Sequence, residues 1–321
     1  MTNPLVVRTL HSLLLVVLAV FSVFVVVRLL PGDPVTAMTG EYPVPQAYAD
    51  EIRASYGLDK PLPVQFVLYV AALARGDLGY SFKNQKAVSQ LMIERGVNTL
   101  ILGGAAFLVA TVVGISLGIT AAVQRWGPAD RAIRGFAALS YAAPVFWIGQ
   151  LLILLFAVQL KVMPVAGMTS ARGVQPGLPQ VLDLLQHLLL PAIVLALPVA
   201  AINTRILRVS MIDALNGEYV RTARAKGLPE RSVINGHAFR NALLPLITVI
   251  ALEIPTLFVG SVLVETVFAW PGLGRLLFDS IGSRDYPVVE GMLLLVTITV
   301  IAANWIADTL YGRLDPRVRR A

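Results

Sequence analysis

The sequence predicts an all-α fold: a polytopic membrane helical bundle with six transmembrane helices and a small external subdomain after the first helix. Three observations carry that expectation. The 321-residue chain is 56% hydrophobic and only 14% charged, against about 25% charged in a typical soluble domain. Its apolar residues collect into six runs, each near the ~20 residues a helix needs to cross the ~30 Å core of a bilayer. Lysine and arginine are also spread unevenly over the connecting loops, which is the mark of a fixed membrane orientation.

The first run, 12–30, is interrupted only by Arg28 near its end, where a long basic side chain reaches the interface. It reads as a retained anchor: it is long for a secretory leader, and PGDP follows it in place of a small-residue cleavage site. Residues 1–30 thus form a cytoplasmic tail and the first helix. Segment 31–97 mixes seven acidic with six basic residues, contains YPVP and KPLP breaks and carries an amphipathic stretch over 63–74; it reads as the external subdomain. The remaining runs, 98–123, 135–160, 187–207, 242–270 and 288–310, build a five-helix core over 98–312. The last turns polar at Asn304 and Asp308, and 313–321 is a tail. Pro144, Pro191 and Pro198 predict kinked spans.

With the N-terminus inside, the inner segments carry Arg8, then Arg125, Arg131 and Arg134, then a basic loop, then Arg313, Arg317, Arg319 and Arg320; the short outer loops hold only Lys161, Arg172, Arg275 and Arg284. Both termini are therefore expected in the cytoplasm. The net charge of +7 records that orientation. Nucleic acid is not a partner, because no basic face with stacking aromatics is present; membrane lipid is. There are no cysteines and three scattered histidines, so no disulfide, thiolate nucleophile or metal cage is expected.

Ala106, Ala110, Gly114, Gly118 and Ala122 recur at every fourth position, a stripe that lets another helix approach closely. Packing within the chain and contact with a second subunit are both compatible with it. Gly114-Ile115-Ser116-Leu117-Gly118 is formally G-x-S-x-G, but a nucleophile elbow needs a strand-to-helix turn and a nearby base, and this stretch lies inside a helix. No G-x-x-x-x-G-K-[ST] loop exists, so the chain does not hydrolyse ATP by that route. Glu253 and Glu265 lie within the fifth run, where a carboxylate must be paired, wetted or interfacial. Structural carboxylate and lining of a translocation path both remain open, with Glu253 placed beside a helix broken at Ile254-Pro255.

The basic stretch 217–245 lies in the cytoplasmic loop 209–241 and the run that follows. Within it, 218–226 is a good helix former, with Asn216 as a candidate N-cap, Gly227 suited to the C′ position and Pro229 beyond it. Tyr219, Ala223 and Gly227 share a four-residue spacing, and Arg221, Arg224 and Lys226 surround them. The expected shape is a short helix with one nearly flat side, fit to lie in another protein's groove. A second helix over 229–244 leads back into the membrane.

These residues resemble the integral membrane permeases of ATP-binding-cassette importers, in the dipeptide, oligopeptide and nickel branch. The general family signature is E-A-A-x-x-x-G. Ala223 and Gly227 match its second Ala and its Gly, while Arg221 and Thr222 replace its Glu and first Ala, as in the branch version RTARAKGL. LLPGDPV, YGLDKPLPVQF, RGDLGYSF, SYAAPVFWIG, GSVLVETVFAWPGLGRLL and the terminal DPRVR extend the resemblance over nearly the whole chain. It implies the first of two permeases, a shared path for peptides or a related solute, and an extracytoplasmic solute-binding protein. It also implies two ATP-binding cassette subunits or domains carrying the ATP and magnesium. Tyr219, Arg221, Thr222, Ala223, Arg224, Ala225, Lys226 and Gly227 would form the ATPase-coupling helix. The rival reading is an ion-coupled secondary transporter using Glu253, Glu265 and Asp308, marked by uptake by this chain alone.

Overall fold

The computed structural model describes residues 4–29, 45–55, 59–81, 83–170, 173 and 175–314. The PGDP turn, Arg172 and the arginines of the tail 315–321 lie outside the described residues. All six apolar runs fall on helices. Four helical stretches are long and apolar enough to cross a membrane: Thr9–Leu29, Val88–Val123, Leu178–Leu215 and Glu230–Ile250. A bent pair, Pro128–Ala142 with Val145–Gln159, is long and apolar enough only when its two arms are counted together. The sixth run lies on a 29-residue helix, Tyr286–Leu314, whose apolar part is the shorter Tyr286–Ala302. The chain divides into two compact units, Met1–Val97 with Gly272–Ala321, and Asn98–Pro271.

In the first unit, α1 (Pro4–Leu29) packs on α11 (Tyr286–Leu314). Arg28 joins them: its Nη1 donates to Glu290 Oε1 at 2.7 Å and its Nε to Gln65 Oε1 at 3.3 Å, with the guanidinium over the Phe24 ring. The ring of Phe66, on α3 (Leu62–Ala74), stands edge-on to Phe21 and Phe24. Between α2 (Gln46–Ser55) and α11 the chain also forms a two-residue antiparallel ladder, Tyr80↔Ala87 and Ser81↔Lys86. Its strands are β1 (Tyr80–Ser81) and β2 (Lys86–Ala87). Ser81 donates its hydroxyl to Asp285, which also accepts the Val288 amide and so caps the first turn of α11. Val88, Leu91, Leu276, Val288 and Met292 form the apolar core of this unit, with Leu276 supplied by α10 (Leu273–Gly282).

The second unit contains α4 (Val88–Val123) from Asn98 onward, α5 (Pro128–Ala142), α6 (Val145–Leu152), α7 (Leu178–Leu215), α8 (Glu218–Ala225) and α9 (Phe239–Val267). The small-residue stripe is used inside the chain. Ala106, Ala110 and Ala122 are buried, and α4 approaches α7 so closely that a Cβ at Gly114 would sit 2.5 Å from Asn203 Cβ. At Gly118 the corresponding distance to Leu207 Cβ is 2.9 Å. Pro144, anticipated as a kink, separates α5 from α6 at 107°. Pro191 and Pro198 lie within an unbroken α7, and α9 likewise runs unbroken past Ile254-Pro255. Neighbouring helices re-satisfy the backbone groups that such prolines release.

Candidate functional site

The loop between α7 and α9 carries the residues of interest on α8. Asn216 does not cap it. It sits in helical conformation and uses its N–H to close α7, so extended Gly217 precedes α8 instead; an N-cap residue needs the extended region. Glu218 in the first turn and Arg224 in the last complement the helix dipole. The helix stops as anticipated: Gly227 adopts φ +76, its N–H donates to Arg224 O at 2.9 Å, and the Leu228 N–H donates to Ala223 O. That 5→2 and 6→1 pair is a Schellman stop, which favours glycine at C′.

The flat side of α8 does not face outward. Val220 is fully buried and Ala223 is 4% exposed. Both pack with Ala122 at the end of α4, Leu207 and Met211 at the end of α7, and Val233, Ala242 and Leu246 on the way into α9. A helix of eight residues cannot hold itself; two apolar side chains three apart rivet it to three spans. The outward face is Tyr219, Arg221, Thr222, Arg224, Ala225 and Lys226, with Gly227 at its end. At 100° per residue, Ala225 lies opposite the buried face. Arg221 Nη1 donates to Glu218 Oε1 at 2.7 Å, and Arg224 forks onto Glu230 at 2.6 and 3.2 Å, tying the helix to the next turn. Lys226 has no ion pair among the described residues. Beyond Pro229 the expected second helix is a single turn, Glu230–Ser232, and a π-helical segment, Val233–Ala238, before α9 begins.

The two carboxylates of the fifth run are not part of this surface. Glu253 is 7% exposed and lies beside Asn203 of α7. Glu265 is fully buried and accepts a 2.8 Å hydrogen bond from Thr99 of α4. Beside it, Trp270 Nε1 donates to Asn98 O and Asn98 Nδ2 to Pro271 O, closing that end of α4 against the end of α9. Glu265 and Glu253 stand about 18 Å apart along α9, so they make no common site, and each meets a neighbouring helix.

Sequence reasoning missed three anchors: Val220, the Glu230 partner of Arg224, and a buried clamp between Asp130 and Arg208. Asp130, 0% exposed, accepts Arg208 Nε at 2.7 Å, Arg208 Nη2 at 2.8 Å and the Trp126 amide at 3.1 Å. Only Val220 left a signal, as the one large aliphatic residue in a polar helix.

Residues 114–320 match the model of the binding-protein-dependent transport system inner membrane component, and residues 1–103 match its N-terminal companion. The chain belongs to this family. It is a multi-pass inner-membrane permease, the membrane component of a binding-protein-dependent transport system and not its ATPase. The permease is 41% identical over 315 residues to the dipeptide transport system permease protein DppB of Escherichia coli K12, with 92% of each chain covered. To the di/tripeptide transport system permease protein DppB of Pseudomonas aeruginosa it is 42% identical over 311 residues, again with 92% of each covered. To the oligopeptide transport system permease protein AppB of Bacillus subtilis it is 38% identical, with 97% of each covered. The fold is similar to an inward-facing MetNI methionine ABC transporter chain, with a TM-score of 0.54 at 16% identity, covering 70% of the permease and 97% of that chain.

Proposed function

We propose that this permease forms, with a second permease, the path by which peptides enter the cell, and that α8 is the helix through which separate ATPase subunits drive it. Relatives near 40% identity are named for dipeptides, di/tripeptides and oligopeptides, which supports peptides as the cargo. An extracytoplasmic binding protein would deliver them. ATP and magnesium would be held by two partner ATPase subunits or domains. Both termini of the permease would be cytoplasmic, on the same side as α8.

One observation carries the coupling role. The outward face of α8 is exposed and basic, while its inner face is packed into the ends of three spans. A push on that face is therefore delivered to the bundle. Added bulk must sit outward to test docking. Ala225→Trp lies opposite Val220 and Ala223, so the permease should insert and retain its partner permease. Overpacking a close contact costs ~1–3 kcal/mol, so ATPase association should fall about ten- to a hundredfold. Co-purification of the ATPase and solute-stimulated ATP hydrolysis in reconstituted membranes measure this. Wild-type values for both would remove α8 from the coupling interface.

A further inference from the structure

A cleft of about 340 Å³ opens between α5 and α7, within the size range of ligand sites. Its walls are small, with Ala137 and Ala138 on one side and Ala201 on the other, and three guanidiniums line it: Arg134, Arg205 and Arg208. One carboxylate answers them. Asp130 is committed to Arg208 by two short bonds, and Arg134 Nε reaches it only at 3.5 Å with half its side chain exposed. Arg205 is exposed and has no acidic partner among the described residues. The cleft thus holds two positive charges in excess, in front of a wall that a compact anion could approach closely.

The surroundings say what kind of anion. Tyr141 on the cleft is 62% exposed. Just before α5, Trp126 is 66% exposed, with the Arg125 guanidinium 5.3 Å from its ring. Exposed tryptophan and tyrosine beside arginine mark the headgroup level of a bilayer, and basic pockets between membrane helices take anionic headgroups. A charged phosphate and apolar tails fit such a cleft together; a soluble phosphate would use only the arginines.

We infer that the α5–α7 cleft binds the phosphodiester headgroup of an anionic phospholipid, held by Arg134 and Arg205 with Arg208 fixed in place by Asp130, beside the exposed rings of Tyr141 and Trp126.

The test uses the assembled transporter, delipidated in detergent and titrated with phosphatidylglycerol or phosphatidylcholine, with bound lipid counted by native mass spectrometry. Phosphatidylglycerol should bind preferentially, and each removed guanidinium should lower that preference about fivefold. Arg134→Gln/Arg205→Gln should therefore nearly abolish it. Arg205→Gln alone, at an exposed residue without an acidic partner among the described residues, covers the case in which the double variant is unstable. Arg240→Gln, removing an equal charge from the start of α9, should leave the preference intact. Equal binding of the two lipids, a preference that survives both cleft variants, or an equal loss with Arg240→Gln would overturn the assignment. Arginine-dependent binding of glycerol phosphate without any lipid preference would also overturn it, in favour of a soluble phosphate.

Discussion

Replacing Gly114 by alanine should destabilise the permease, although the same change usually stabilises a helix. Alanine is favoured over glycine in a helix interior by about 0.5–1 kcal/mol. At Gly114, however, the new methyl would lie 2.5 Å from Asn203 Cβ and 3.3 Å from Ala200 O. Carbon atoms rest about 3.5–4.0 Å apart, so α4 and α7 would have to separate by about 1 Å. Neither obstacle is the free end of a side chain: one is a Cβ, the other backbone. Overpacking of this kind costs ~1–3 kcal/mol, so the clash outweighs the propensity gain. Gly103 is the control, in the same helix with nothing within 4 Å of its Cβ position; Gly103→Ala should be neutral or mildly stabilising. Thermal unfolding of the purified chain in detergent should show a lowered Tm for Gly114→Ala and an unchanged or raised Tm for Gly103→Ala. If Gly114→Ala is as stable as wild type, the close approach of α4 to α7 is not what the glycine serves.

Removing Glu290 alone should be worse than removing it together with Arg28. Glu290→Leu leaves the guanidinium largely buried without its 2.7 Å partner, a defect worth about 3 kcal/mol or more, whereas Arg28→Leu/Glu290→Leu should regain stability. A double-mutant cycle on Tm reads the difference, and additive losses would deny the pair any role. Asp285 supplies a pH signature. Burial pushes its carboxyl above the ordinary value, against the hydrogen bonds from Ser81, Val288 and Asn84. A raised acid contributes stability that is full below its ordinary value near 3.8 and is lost as pH rises through the raised one. The stability difference between wild type and Asp285→Asn should therefore shift against wild type as pH climbs through that window. A pH-independent difference would refute it.

Much of this architecture was legible because its signals are local. Apolar run length locates the helices, and Gly227 followed by Pro229 marks the end of α8 to within a residue. The orientation of α8 was not legible. Ala223 reads as part of a flat outer stripe when only residues 219–227 are considered. It is buried within a cluster whose other members, Val233, Leu207 and Leu246 among them, are brought in by other elements. Glu265 likewise finds Thr99 across 166 positions, a distance no window of sequence spans. Pro144 signalled a bend but not one of 107°, because the angle depends on what α5 packs against. The π-helical segments Ile153–Gln159 and Val233–Ala238 carry no compositional mark at all.

If α8 is the coupling helix proposed above, the burial of Ala223 changes how it must work. A loop whose small residues lay in the ATPase groove could swing on its connections, and force on it would be dissipated there. Here Val220 and Ala223 are embedded in a cluster drawn from the ends of α4, α7 and the start of α9. The Schellman stop and the Arg224–Glu230 pair hold the exit of α8 to the next turn. Exposed ion pairs contribute little stability, so the apolar rivet must carry the load and the charges set direction. Packed interiors resist deformation, so displacing α8 as a body requires the three spans to move with it. On the proposed reading, that is how hydrolysis in a separate protein would reach the membrane path. It also separates two classes of variant. On the proposed reading, bulk at Ala223 should destabilise the permease's own packing, whereas bulk at Ala225 should leave the rivet intact and weaken only the partner.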